Sequence, residues 1–335
     1  MYFSEIIGHK DIVKNLINVI SKGQISHAYL FEGREGVGRF RTAKTFAQGI
    51  LCEDFQGDCC GKCKPCRLTF HDTHPDLIVK DFTIGEDGKE RASISVDAIR
   101  QFKKEVYLKP FFANRKIYIL EQGEKMTTEA QNALLKIFED PPHYVTIIIL
   151  CNGLSKLLPT VQSRGVIVKF SELQPKELEI YLKKAYNEIS EKELYASISG
   201  GSIAKMLQWI QDEEGLTYRK KVLEGAAELL ESPRSVSINP LLFVFTKYKD
   251  RRHQSVELIQ QFLMDLARLK TGNTHLLVNR DLEPRLRALA PQVRVEELYR
   301  AETILITFSE QLAKNANYKL AVLNMLIQIR EGIHG

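Results

Sequence analysis

Cys60, Cys63 and Cys66 stand three apart, and Cys52 lies eight residues before Cys60. A tetrahedral zinc takes four thiolates at about 2.3 Å, and CxxCxxC supplies three from one tight turn while a more distant fourth closes the site. Gly57, Gly61, Lys62 and Pro65 suit a short knuckle over 52–66. The spacing predicts one structural zinc per chain on Cys52, Cys60, Cys63 and Cys66. Cys59 is the alternative to Cys52, because adjacent Cys59 and Cys60 can hardly both bind one ion with good geometry. In a reduced compartment such a cluster points to metal rather than to disulfides. Four protein thiolates leave no open position, so the metal is expected to stabilise the fold and not to catalyse. The sixth cysteine, Cys151, ends an apolar run and is expected in the core.

A second cluster is glycine-rich. Leu30-Phe31-Glu32-Gly33-Arg34-Glu35-Gly36-Val37-Gly38-Arg39-Phe40 follows an expected strand and opens an expected helix, the context that a phosphate loop requires. Gly33, Gly36 and Gly38 let the backbone turn and aim N–H groups at an anion. A working loop ends Gly-Lys followed by Ser or Thr, whereas this one ends Gly38-Arg39-Phe40. The planar fork of Arg39 does not reproduce a compact ammonium against the β- and γ-phosphates. Phe40 has no hydroxyl for magnesium. After the strand Ile117–Leu120 an ATPase presents Asp-Glu; here Glu121-Gln122 stands, and Gln122 cannot act as a base. Glu124, in the following turn, is expected to be a solvated charge. Two defects in separate motifs predict a nucleotide site that has lost hydrolysis, with no bound magnesium. Glycines kept for turn geometry alone are the plainer alternative.

These clusters need a scaffold. Ala28–Phe31, Leu77–Lys80, Ile117–Leu120, Thr146–Leu150 and Val166–Phe170 have the pattern of buried strands, and between them Ile12–Ser21, Arg41–Leu51, Asp97–Val106 and Glu129–Phe138 repeat apolar residues three and four apart. Such alternation predicts a parallel sheet covered on both faces. After Ser171 the pattern is helical, with stripes at Leu223, Ala226, Ala227, Leu230 and at Leu298, Ala301, Ile304, Leu305, Phe308, Leu312, and a break at Glu231–Pro240. The expected organisation is an α/β sheet domain over 1–171, a small helical domain over 172–212 and an all-α bundle over 213–335.

The 335 residues allow two or three domains, and 44% hydrophobic with 27% charged residues is close to average soluble composition and favours neither a disordered nor a membrane class. Val145–Cys151, the longest apolar run, falls far short of the ~20 residues of a spanning helix. MYFSEIIGHK has no secretory pattern, so a cytoplasmic protein without membrane contact is expected. Net charge +5 permits contact with a polyanion without arguing for it. The run Lys247-Tyr248-Lys249-Asp250-Arg251-Arg252 is expected to be a solvated helix end, with at most weak DNA contact.

Taken in order, Ile6-Ile7-Gly8-His9, His27 to Arg39, the cysteine cluster, His74-Pro75-Asp76, Asn132 to Pro142 and Thr160 to Gly165 make the first ~210 residues resemble the clamp-loader branch of the AAA+ proteins, of the bacterial DNA polymerase III type. The rest matches only in helical character and length. The resemblance implies an AAA+ sheet domain, a helical lid and a collar-forming bundle. It further implies an arc of subunits with ATP at the interfaces, which loads a sliding clamp on primed DNA. The implied partners are ATPase subunits and a clamp-opening subunit, with the clamp and primer-template DNA met through the complex.

In that family a Ser-Arg-Cys motif presents its arginine to a neighbour's ATP. Ser163-Arg164-Gly165 stands there, so Arg164 carries over as a finger acting in trans and the cysteine does not. Asn152 takes a polar sensor position, Ala204 stands where ATPase subunits place a sensor arginine, and Lys205 is beside it. The family places its first zinc ligand at the end of the preceding helix, which favours Cys52, but its spacing is commonly one residue longer, which leaves Cys52 against Cys59 open. The implied role is a subunit that does not hydrolyse ATP. An ATP-hydrolysing motor subunit of the same loader is the alternative, and a zinc-containing DNA-binding protein is a second.

Overall fold

Short runs rich in Val and Ile form strands where a second layer can cover each face. In the computed structural model, which describes residues 1–85, 88–231, 235–313 and 317–334, five of them align in parallel. These are β1 (Ala28–Glu32), β2 (Leu77–Lys80), β3 (Lys116–Leu120), β4 (Val145–Cys151) and β5 (Val166–Lys169), in the order β2-β3-β4-β1-β5. Ala28 lies opposite Ile147 in one central pair, and Tyr29 opposite Val166 at the edge. The connecting helices are α1 (Lys10–Ser21), α2 (Arg39–Leu51), α3 (Lys64–Phe70), α4 (Val96–Val106), α5 (Thr128–Glu139), α6 (Pro159–Gln162) and α7 (Pro175–Ala185). Ser95 and Thr127 cap α4 and α5, accepting from the N–H groups of Ala98 and Ala130.

Side chains of one strand alternate between two cores. On one face Tyr29, Phe31, Ile117, Ile119, Ile148 and Leu150 meet Leu16 of α1 and Ala43, Phe46, Ala47 and Leu51 of α2. On the other, Ala28, Leu30, Tyr118, Val145, Ile147 and Ile149 meet α4 and α5 through Ile99, Phe102, Leu134 and Ile137. Each Val, Leu, Ile or Phe among them contributes roughly 1.5–3 kcal/mol of transfer free energy on burial. All seven residues of β4 are buried, as a central strand with both faces covered requires. The expected strands and helices recur within one or two residues of their expected ends, with three corrections. Neither β5 nor β2 is a buried strand: β5 is an edge that pairs with β1 alone and leaves Val166 and Ile167 exposed, and β2 is the other edge, pairing with β3 alone and leaving Val79 exposed. Helix α3 was not expected at all; it follows Cys63 and carries Cys66.

The described chain divides into two compact units, one holding Met1–Asn187 with Gly201–Ala204, the other Glu188–Gly200 and the residues from Lys205 on. Residues 172–212 contribute to both units. The second unit is all helical, as expected. Its helices are α8 (Lys192–Ile198), α9 (Ile203–Gln211, its first two residues grouped with the first unit), α10 (Gly215–Glu231), α11 (Asn239–Lys247), α12 (Arg252–Lys270), α13 (Glu283–Leu289), α14 (Val295–Ala313) and α15 (Tyr318–His334). Its core holds Leu223, Ala226, Ala227 and Leu230 of one expected stripe and Leu298, Ala301, Leu305 and Phe308 of the other, with Ile304 packed against it. Leu312 lies outside the described side chains. Across Glu231–Pro240, α10 ends, a 3-10 turn spans Ser235–Ile238 and α11 begins with Pro240 in its first turn, while 232–234 lie outside the described residues. Among the described residues no helix is long and apolar enough to cross a membrane.

Candidate functional site

The cysteine knuckle sits between α2 and α3. Cys52 is the C-cap of α2, Cys63 the N-cap of α3 and Cys66 lies inside α3, so two helix ends bring distant thiols together. The ligand atoms of Cys52, Cys60, Cys63 and Cys66 all lie within 4.8 Å of one another, and Cys60 Sγ is 4.0 Å from Cys66 Sγ. Four sulfurs at about 2.3 Å from a tetrahedral ion stand about 3.8 Å apart, so this donor set fits a metal ion. The N–H groups of Cys60 and Cys63 each donate to a thiol of the set, Cys52 Sγ and Cys60 Sγ, at 3.4 Å. The Cys63 N–H, with the Lys62 backbone, holds the Cys60 thiol below the usual range, at about 7. Cys59 turns away: its buried thiol faces the Thr45 carbonyl at 3.9 Å, and burial pushes it up to about 12.

The glycine-rich loop lies between β1 and α2. Gly38 is the N-cap of α2 at φ 102°, and Gly36 has φ 80° with Ser202 and Ala204 packed so close that an added Cβ would come within 2.7 Å of the Ala204 Cβ. Both positions therefore require glycine. The loop is fastened from outside. His9 donates from Nε2 to the Val37 carbonyl (2.9 Å), Ile203 N donates to the Gly36 carbonyl (2.9 Å), and Ser202 Oγ to the Glu35 carbonyl (3.2 Å). Gly33 N donates to the Cys151 carbonyl, tying the loop to β4.

Inside, Arg39 turns back along the sheet. Its Nη2 donates to Asn152 Oδ1 at 2.7 Å, and Nη1 is buried without a partner among the described residues. Burial holds the guanidinium below its ordinary value, opposed by the charges of Cys151, Glu124, Glu35 and Glu121. Asn152 is fixed a second time, its N–H donating to Glu124 Oε2 at 3.2 Å. Glu124 is thus a partner of the site and not the merely solvated charge expected of it. Phe40 points outward, 39% exposed.

The acid position is equally committed. Gln122, at φ 54°, donates from Nε2 to Asp81 Oδ2 (2.9 Å) and to Thr83 Oγ1 (3.0 Å). Burial acts to raise the Asp81 carboxyl, but hydrogen bonds from Thr83 and Gln122 outweigh it and hold it below the usual range. Glu121 is raised by burial and by Asp81, against Arg39. This loop therefore offers an inward cation, an amide locked to a carboxylate and no hydroxyl.

Arg164 lies just past α6. Its Nη1 donates to the Thr160 carbonyl (3.2 Å), its Nη2 meets Glu139 Oε1 at 3.3 Å, and 37% of its side chain is exposed. Two amides that sequence reasoning missed, the buried Gln131 and the half-buried Gln162, fix the backbone leading to it. Gln131 of α5 donates to the Met126 and Lys156 carbonyls and accepts from Leu158 N, while Gln162 donates to the Leu154 and Leu157 carbonyls. Of the basic run, Arg251 is engaged within its own unit, paired with Asp212 (2.5 Å) and lying over the Tyr218 ring, and Lys249 lies over Tyr318.

The string His74-Pro75-Asp76 acquires a physical role. The buried Asp76 carboxylate accepts the N–H groups of Phe111 (2.5 Å), Phe112 (3.1 Å) and Ala113 (3.0 Å), and its own N–H donates to His74 Nδ1 (3.0 Å).

Residues 8–174 match the family described as DNA polymerase III, delta subunit, and residues 213–331 match DNA polymerase III, delta subunit, C terminal. The chain is 24% identical over 324 residues to the DNA polymerase III subunit delta' of Bacillus subtilis, covering 96% of each protein. It is 33% identical over 239 residues to the subunit of that name from Pseudomonas aeruginosa, covering 66% of this chain and 70% of that one. A solved DNA polymerase III gamma subunit-related protein from Thermotoga maritima aligns over 95% of this chain and 98% of that one, at 20% identity and a TM-score of 0.48.

Proposed function

The chain belongs to the delta-prime family of DNA polymerase III subunits, and we propose that it serves the clamp loader as a subunit that hydrolyses no ATP itself and lends Arg164 to the ATP of a neighbouring subunit. The observation that carries this is the inward Arg39. Its fork is bonded to Asn152 where a lysine would reach phosphate, and Phe40 beside it offers magnesium nothing. Gln122, spent on Asp81 and Thr83, supports the same conclusion from the other side of the site. Arg164, by contrast, is partly exposed on a turn fixed by Gln131 and Gln162. An always-charged bidentate donor on a rigid element is what a finger needs. The ATPase subunits and a clamp-opening subunit are its partners, with the sliding clamp and primer-template DNA met through the complex. The organisation into 1–171, 172–212 and 213–335 belongs to this proposal.

Zinc is the metal that best suits four thiols. Cys52, Cys60, Cys63 and Cys66 would hold it, and when bound it supplies cross-linking of α2 to α3 and no open coordination position.

The test is Arg164→Ala in the reconstituted loader. A finger is worth roughly 10³ to 10⁵ in rate at the site it serves, so the complex is expected to lose that site's share of turnover while the subunit stays folded. Unchanged ATP turnover refutes the finger.

A further inference from the structure

Glu139 is the last residue of α5, and its carboxylate faces Arg164 across 3.3 Å. That is a poor place for an acid, since the C-terminal end of a helix carries the negative pole of its dipole. The pair with Arg164 offsets the mismatch. Glu139 is not needed to shape the turn. Gln131 and Gln162 already satisfy the carbonyls of residues 154, 156 and 157 and the N–H of Leu158. What Glu139 sets is the direction of the guanidinium.

Both terminal nitrogens of Arg164 are engaged within the chain, one by Glu139 and one by the Thr160 carbonyl. A bidentate contact with a phosphate on another subunit needs that fork free. A carboxylate left at 3.3 Å would also face the incoming phosphate with like charge. The two side chains are 37% and 56% exposed, which makes the pair weak and readily exchanged.

We propose that Glu139 is a latch: a positioning residue that holds Arg164 against its own subunit until a phosphate of the neighbour's nucleotide displaces it. This rests on the assignment of Arg164 as a finger. The latch opposes engagement by about the strength of an exposed ion pair, so its removal is worth about two- to fivefold in rate.

The experiment is steady-state ATP hydrolysis by the reconstituted loader with Glu139→Gln, Glu139→Asp, Arg164→Ala and the Glu139→Gln/Arg164→Ala double variant. With ATP below saturation, Glu139→Gln is expected to raise turnover about two- to fivefold at the site that Arg164 serves, and that of the complex in proportion to that site's share. Glu139→Asp, which keeps the charge, stays near wild type, and the double variant matches Arg164→Ala. If Glu139→Gln leaves turnover unchanged or lowers it, or acts equally when Arg164 is absent, there is no latch. Should Arg164→Ala itself leave turnover intact, the finger has failed; should it lower turnover while Glu139→Gln does not raise it, the latch alone has failed.

Discussion

Gln122→Glu installs the carboxylate that an ATPase carries after this strand, and it is expected to destabilise the chain in a pH-dependent way without conferring hydrolysis. In the structure the Gln122 amide donates to Asp81 at 2.9 Å and to Thr83 at 3.0 Å. Replacing it by a carboxylate sets two acids in contact. If both were ionised, their repulsion at ~3.5 Å with an effective dielectric of ~20 would be about 5 kcal/mol. The new acid can relieve this by keeping its proton, which lets it still donate to Asp81. Keeping that proton costs about 1.36 kcal/mol for each pH unit above the unfolded pKa of about 4.3, or about 3.7 kcal/mol at pH 7 and about 1 kcal/mol at pH 5. Protonation is the smaller cost, so it sets the ceiling. The folded pKa of the carboxyl introduced at position 122 is raised above its unfolded value, so stability is intact below the unfolded pKa and is lost as pH rises toward the folded one. Thermal unfolding of wild type and variant at pH 5 and pH 7 measures this directly. A penalty that is equal at the two pH values, or larger at pH 5, refutes the shared-proton reasoning, and ATP hydrolysis by the isolated variant refutes the inactive-site assignment.

Protein purified without chelator is expected to carry about one zinc per chain by elemental analysis. Cys66→Ser should lose the metal and Cys59→Ser keep it, because only the first thiol lies within the four-sulfur set; the reverse order overturns the ligand assignment. Asp76→Asn turns an amide donor toward one of the three N–H groups of residues 111–113 and removes the charge from the other bonds. At about 1.5–3 kcal/mol per charge-assisted bond, less the relief of a buried charge, a loss of about 2–4 kcal/mol is expected in urea unfolding; a loss under about 1 kcal/mol contradicts the cradle.

The scaffold was legible because burial leaves a mark in residue type. β4 is apolar at nearly every position because both of its faces are covered, and α4 and α5 carry period-four stripes against it. The cysteine spacing was legible for a different reason: few other needs put three thiols in one turn. β5 misled because Val166, Ile167 and Val168 are as β-branched as a central strand, and a strand's neighbours are not written in its own residues. The candidate site was only half legible. The missing lysine, hydroxyl and base are local facts of sequence. What fills their places, Arg39 on Asn152, Glu124 on the Asn152 amide and Gln122 on Asp81, joins residues 28 to 113 positions apart. Glu139 and Arg164, 25 apart, met only in the structure.

The open edge at β5 bears on how the chain must be handled in the cell. An edge strand paired on one side only and bearing Val166 and Ile167 toward solvent is a template for adding a strand from another molecule, the first step of aggregation. Two features blunt it. The strand is only four residues long, and Lys169, its last residue, and Arg164, two residues before its start, are charged gatekeepers. An apolar substitution at Lys169 is therefore expected to lower the soluble yield.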